Sequence, residues 1–201
     1  MPRDAAGTRD RLVAAGRELF AKTGIYATPL KAVMERAGQR NTSSLHYHFG
    51  GREGLLAAII DVHNDRIESV RKDMLDASPP TLHDIVAAVV LPQAALLHEV
   101  DGRAFLTIIS QLSDLFDRWE DGGTPAQALR AFILVKEQLP LSLPDRVRHE
   151  RVTRFLALIS QALGSRSRAI ESGQQPALEH EMWVANLMSM AVGALRADPS
   201  S

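Results

Sequence analysis

Residues 38–55 read GQRNTSSLHYHFGGREGL, and the reading of this stretch decides the fold. It holds a polar run, two histidines around a tyrosine, a double glycine and a basic residue, features of a metal site, a catalytic loop or a contact surface. On a helix His46 and His48 diverge by about 200°, so a shared metal is poorly served. The flanks are more informative. Thr28 reads as an N-cap with Pro29 at the first helical position, Leu30, Val33, Met34 and Ala37 then share one face, and Gly38 ends a short helix. A polar turn follows, then a third short helix with Leu45 inward, capped by Asn41 or Thr42 and broken by Gly50 and Gly51. Before them Leu12, Val13, Gly16, Leu19 and Phe20 recur at helical spacing and Gly24 stops the first helix. Three short helices with a tight turn between the second and third make a helix-turn-helix, whose third helix enters the DNA major groove. Opposite Leu45 that helix would show Thr42, Ser43, His46 and Tyr47, with Arg40 and Asn41 at its N-terminal edge. Arginine grips guanine and asparagine adenine through paired hydrogen bonds, while hydroxyls and imidazole reach phosphate oxygens. Arg40 and Asn41 fit base reading and phosphate or solvent contact equally well.

The remainder of the chain agrees. Its 201 residues, 45% of them apolar, can bury a real core. The absence of cysteine excludes disulfides and thiolate metal sites and fits a reducing cytosol. The start, MPRDAAGTRDRLV, lacks the apolar core of a signal peptide. No apolar run approaches the roughly 20 residues that span a bilayer, so the expectation is a soluble, cytoplasmic protein. The formal charge of −1 hides an asymmetry: residues 1–51 carry eight Lys and Arg against four Asp and Glu, the remainder 15 against 20. A basic quarter on an acidic body suits a polyanion reached through that quarter, although a solvated surface explains so modest an excess as well.

From Arg52 a long helix is expected to about Asp76, with Leu56, Ile59, Ile60, His63, Ile67, Val70 and Met74 on a near-heptad stripe and SPP at 78–80 ending it. Further helical patterns cover 81–98, 102–120, 125–138, 145–171 and 178–197, separated by Gly102, DGGTP, PLSLP and SGQQP. Alternation of period two is absent, so the expected fold class is all-α, about nine helices. An N-terminal helix-turn-helix domain over 1–51 precedes a helical bundle over 52–201. No HExxH, phosphate loop or nucleophile–base set is visible, and the reading calls for no enzymatic activity, cofactor or metal.

The segment TPLKAVMERAGQRNTSSLHYHFGGREGLL (28–56) resembles the DNA-binding segment of the tetracycline-repressor (TetR) family: a second helix ending at Ala-Gly, a recognition helix ending in a Leu-x-Tyr/His-His-Phe run, and a basic-acidic-x-Leu start of helix four. RDRLVAAGRELFAKTGIYAT (9–28) resembles the family's first helix. Two features depart from the pattern. Pro29 replaces the usual threonine, which leaves any phosphate contact there to Thr28, and the turn from Gly38 to Leu45 is one residue longer than the common form. The resemblance implies phosphate contacts from Tyr47, His48 and Arg52 and a DNA-reaching position for Lys31, with Leu45 and Phe49 as core anchors.

For the body, the resemblance implies an effector pocket within helices four to seven and a dimer built by the last two helices. Val86, Val89, Phe105, Ile108, Leu112, Phe116 and Phe132 are candidate apolar lining, with Gln93, His98, Thr107 and Gln111 as candidate polar contacts. Ordinary core explains each of them equally well. Phe155, Leu156, Ile159 and Leu163, with Trp183, Leu187 and Met190, form apolar stripes broad enough for a two-fold interface. The resulting expectation is a ligand-responsive, dimeric transcriptional regulator, a repressor that a small, largely apolar effector releases from a two-fold double-stranded DNA operator. Two other classes fit the residues less fully: a small helical enzyme, and an effector-free dimeric interaction protein, in which the N-terminal helices only pack.

Overall fold

The computed structural model describes residues 3–39, 43–121 and 123–197. Among these are nine α-helices, two short 3-10 segments and no strand. The head consists of α1 (Arg3–Thr23), α2 (Leu30–Arg36) and α3 (Ser43–Phe49). The long α4 (Arg52–Asp76) leads into α5 (Leu82–Ala94), α6 (Val100–Ser110), α7 (Ala126–Gln138), α8 (Asp145–Glu171) and α9 (His180–Arg196).

Two apolar cores organise the chain, and α4 belongs to both. The head core joins Leu12, Phe20, Ile25, Val33 and Leu45 to Leu55 and Ile59 of α4 and Ile108 of α6. Ile67 and Leu75, further along α4, enter the body core with Ile85, Leu106, Val135, Ile159 and Leu187. The buried side of α4 is Leu55, Ile59, His63, Ile67, Arg71 and Leu75 rather than the near-heptad stripe. A straight helix of about 3.6 residues per turn drifts away from a seven-residue repeat. Hence Val70 turns outward, 42% exposed, and an arginine takes the inward place.

The pattern expected as one helix over 81–98 divides. Thr81 caps α5, its hydroxyl accepting from the Asp84 N–H while the Asp84 carboxylate accepts from the Thr81 N–H. Pro92 lies inside the helix, which gives way to a 3-10 turn over Ala95–His98. The pattern expected over 102–120 likewise splits into α6 and a 3-10 segment, Ser113–Arg118.

Candidate functional site

In α3, Leu45 is 3% exposed and seats the helix in the head core, while Ser43, His46 and Tyr47 lie outward, Tyr47 with 84% exposure. The half-buried His48 ring meets Tyr47 edge-on at 5.2 Å. Phe49 packs against the head core, and the Arg9 guanidinium lies over its ring at 5.4 Å. That brings an exposed cation of α1 beside the end of α3, a placement no local sequence pattern signals. Gly50 (φ +71) and Gly51 (φ +154) turn the chain sharply. A side chain at Gly54 would stand 1.9 Å from the Phe49 carbonyl oxygen, so glycine there lets the first turn of α4 rest on the end of α3. Arg40, Asn41 and Thr42 lie outside the described residues.

Two expected DNA contacts come out differently. Pro29, with φ preset at −66°, occupies the N-cap of α2. Thr28 turns inward to 2% exposure, its hydroxyl shared between the carbonyls of Gly24 (2.7 Å) and Leu19 (3.2 Å), which corrects its assignment as N-cap and phosphate contact. Arg52 is a clamp. Its Nη1 donates to the carbonyls of Ile25 and Thr28, and its guanidinium lies 5.7 Å from the Phe20 ring centre, fixing α4 to the turn after α1. The phosphate contact expected of Arg52 would have to share its guanidinium with this internal clamp. Lys31 stays on the surface, 3.7 Å from Glu35. Tyr26, 70% exposed between the two carbonyls that Arg52 grips, is an outward aromatic the sequence reading passed over.

Within the body a cavity of about 480 Å³ opens between α4, α5, α6, α7 and α8. Of the candidates, Val89, Gln93, Phe105, Phe116 and Phe132 line it. The other candidates lie elsewhere. Val86 belongs to the closed body core, and Ile108 to the head core, against which Leu112 also packs. Thr107 faces a separate groove under α1, and His98 pairs with His180 on the outside at 4.4 Å. Gln111 reaches the head, its Oε1 accepting from the Ile25 N–H (2.8 Å) and its Nε2 donating to the Phe20 carbonyl (3.0 Å). The cause is rotation: consecutive residues of a helix point about 100° apart, so α6 offers Ile109 to the cavity and Ile108 to the head.

Ile67, Ile109, Leu156 and Ile159 add to the apolar wall, and Asn64, Arg71, Trp119 and Ser160 are among the polar members not foreseen from the sequence. Arg71 is 4% exposed; its Nε donates to the Ala88 carbonyl (3.2 Å) and its Nη1 to Glu68. Burial lowers its pKa and the Glu68 carboxylate counters. The same carboxylate accepts the N–H groups of Gln127 (2.6 Å) and Ala128 (3.1 Å) at the start of α7.

The profile of the family described as bacterial regulatory proteins, tetR family, matches residues 12–59, the head from Leu12 onward and its junction with α4. Residues 12–59 thus form a head of TetR type. Solved structures resemble it over nearly its full length. A TetR-family regulator from Streptomyces coelicolor A3 is 16% identical with a TM-score of 0.53, covering 94% of this chain and 95% of that one. GusR of Salmonella enterica is 18% identical at 0.53, again over 94% and 95%. A gamma-butyrolactone receptor described as ArpA-like is 18% identical at 0.52, over 96% and 98%. At such identities the likeness establishes the all-α fold. No curated protein matches by sequence. TetR-family proteins are DNA-binding transcriptional regulators rather than enzymes, which sets the enzyme reading aside.

The stripes expected at a TetR-type dimer interface are mostly consumed within one chain. Phe155, Leu156, Ile159, Leu163 and Leu187 are all buried in the body core, because α8 and α9 pack on each other and on the rest of the bundle. Trp183 is half-covered under the Arg166 guanidinium at 4.9 Å, and only Met190, 53% exposed, lies plainly outward. The outer face of α9 consists instead of Met182, Ala185, Asn186, Ser189, Met190 and Gly193, with no charged residue between Glu181 and Arg196. No helix is long and apolar enough to cross a membrane among the described residues.

Proposed function

We propose that the protein is a dimeric, ligand-responsive repressor: residues 1–51 read a two-fold DNA operator, and 52–201 bind a small, largely apolar effector and hold the dimer. The outward display of Ser43, His46 and Tyr47 by a helix seated through Leu45 carries this reading, with Arg9 as a neighbouring cation and Lys31 exposed on α2. Phosphate contacts fix register and base-edge contacts carry sequence, so Tyr47 and His48 position the head and the N-terminal part of α3, with residues 40–42, specifies. DNA binding places the protein in the cytoplasm. Coupling runs through α6, which presents Phe105 and Ile109 to the cavity while Ile108 and Gln111 hold the head. An effector that favours a different setting of α6 shifts the head, and effector and operator then weaken each other reciprocally.

Selecting bound fragments from a random DNA pool tests the reading, and the expected consensus is a two-fold sequence. Tyr47→Ala should then weaken operator binding about three- to tenfold per half-site, the worth of one hydrogen bond, at nearly unchanged salt slope because tyrosine carries no charge to release counterions. Full operator affinity in a folded Tyr47→Ala protein would remove α3 from the interface.

A further inference from the structure

The cavity wall specifies what it accepts. Trp119 is 3% exposed and Ser160 5% exposed, yet the indole Nε1 and the hydroxyl Oγ have no hydrogen-bond partner among the described residues, although both residues line the cavity. Buried donors without partners are rare and costly, because each has surrendered water and received nothing in exchange. Arg71 adds a third donor: its Nε and Nη1 are engaged by Ala88 and Glu68, and no hydrogen bond among the described residues engages its Nη2. The charged residues on the wall are Arg71 and Arg118, and no carboxylate lines it. Glu68, behind Arg71, already accepts from Arg71, Gln127 and Ala128. The other lining residues are mainly aromatic or aliphatic, among them Phe105, Phe116, Phe132 and Ile159. The volume lies within the roughly 300–1,000 Å³ of small-molecule sites.

We propose that the cavity binds a compact apolar molecule bearing an acceptor oxygen, as a carbonyl or a carboxylate, which Trp119 Nε1, Ser160 Oγ and Arg71 Nη2 read as donors. This rests on the cavity being the effector site and deepens that reading by fixing the chemistry of the head group. Carbonyl and carboxylate share what the wall recognises, an oxygen with lone pairs. A cation would meet two guanidinium groups with no carboxylate among the lining residues to pair it, and a bare hydrocarbon would leave the indole and the hydroxyl unsatisfied.

Four compounds of one body separate the cases: 4-phenylbutyric acid, its methyl ester, 4-phenylbutylamine and butylbenzene, titrated into the full-length protein by calorimetry at neutral pH. At least one oxygen compound should bind at least about tenfold more tightly than the amine and the hydrocarbon, the cost of leaving one buried donor unpaired. Preference for the acid would assign the head as carboxylate, preference for the ester as carbonyl. Ser160→Ala should cost the preferred compound about tenfold and leave butylbenzene unchanged. Trp119→Phe, which keeps the ring against Phe132 and loses the N–H, should do the same. Equal binding of the amine or the hydrocarbon, no binding of any of the four, or unchanged affinity in both variants would overturn the proposal. Release of the selected operator is measured separately. Oxygen compounds that bind with these dependences but leave DNA affinity unaltered would uphold the cavity chemistry and retire the effector reading.

Discussion

His63 shows how a single residue acquires a role from its surroundings. It sits on the inward face of α4, its ring 5.1 Å from Phe105 and its Nε2 buried with no hydrogen-bond partner among the described residues. Burial, reinforced by the Arg17 cation, lowers its pKa below the ordinary 6.5, while Glu99 and Asp101 oppose the shift. The unfolded chain therefore takes up a proton near pH 6.5 that the native protein refuses. Stability is fully present above that pH and is lost as pH falls from it towards the depressed native value. Chemical denaturation of wild type and His63→Leu between about pH 5 and 7 should show a weaker acid loss in the variant, with a residual slope from His180, also lowered by burial. Identical slopes would mean that His63 titrates normally in the folded protein. At this same scale, Leu45 and Tyr47 are legible because a short helix between turn signals has one inside and one outside. Thr28 and Arg52 were not, because the carbonyls they hold belong to a turn whose path depends on packing.

Among the elements, α4, α5 and α7 are joined by a chain of consequences that begins with Pro92. Lacking an N–H, Pro92 cannot bond the carbonyl of Ala88 one turn earlier, and that carbonyl is completely buried. Arg71 of α4 donates to it, Glu68 neutralises Arg71, and Glu68 also satisfies two N–H groups at the start of α7. A buried arginine on an apolar stripe thus answers a proline in the next helix. Arg71→Met should be clearly destabilising, since it orphans the carbonyl and leaves Glu68 without its cation. Adding Pro92→Ala supplies the missing N–H, and the double-mutant cycle should show a favourable coupling of about 1 kcal/mol in denaturant melts. Strict additivity would show that Arg71 does not stand in for the helical bond. The sequence carried one sign of this: Glu68 and Arg71 three apart, with Arg71 four residues past Ile67.

For the whole molecule, the proposed dimer needs a surface, and the outer face of α9 offers one where the wide apolar stripe, buried within its own chain, does not. Leu187 is 4% exposed within its own chain, so a charge there would break the body core and report nothing about partners. Gly193 is the better probe, since a Cβ at that position meets nothing within 4 Å. Under the proposed dimer, wild type should sediment as a dimer at micromolar concentration, and Gly193→Glu should give a monomer of unchanged helical content with much weaker operator binding, a single head forfeiting the second half-site. A Gly193→Glu protein that remains a dimer would move the interface off this face.

The sequence by itself determined the helices of the head, the inward Leu45, the glycine turn at 50–51, the all-α class and the TetR likeness of the head, because caps, glycines and a 3.6-residue period act within a few neighbours. It did not determine which apolar residues face a cavity, a sibling helix or the outside. Val89 and Val86 share a helix and a chemistry, as do Phe105 and Ile108, yet the first of each pair lines the cavity and the second is closed core. Only tertiary structure decided that, because the hydrophobic effect rewards removal from water without regard to which neighbour provides the cover.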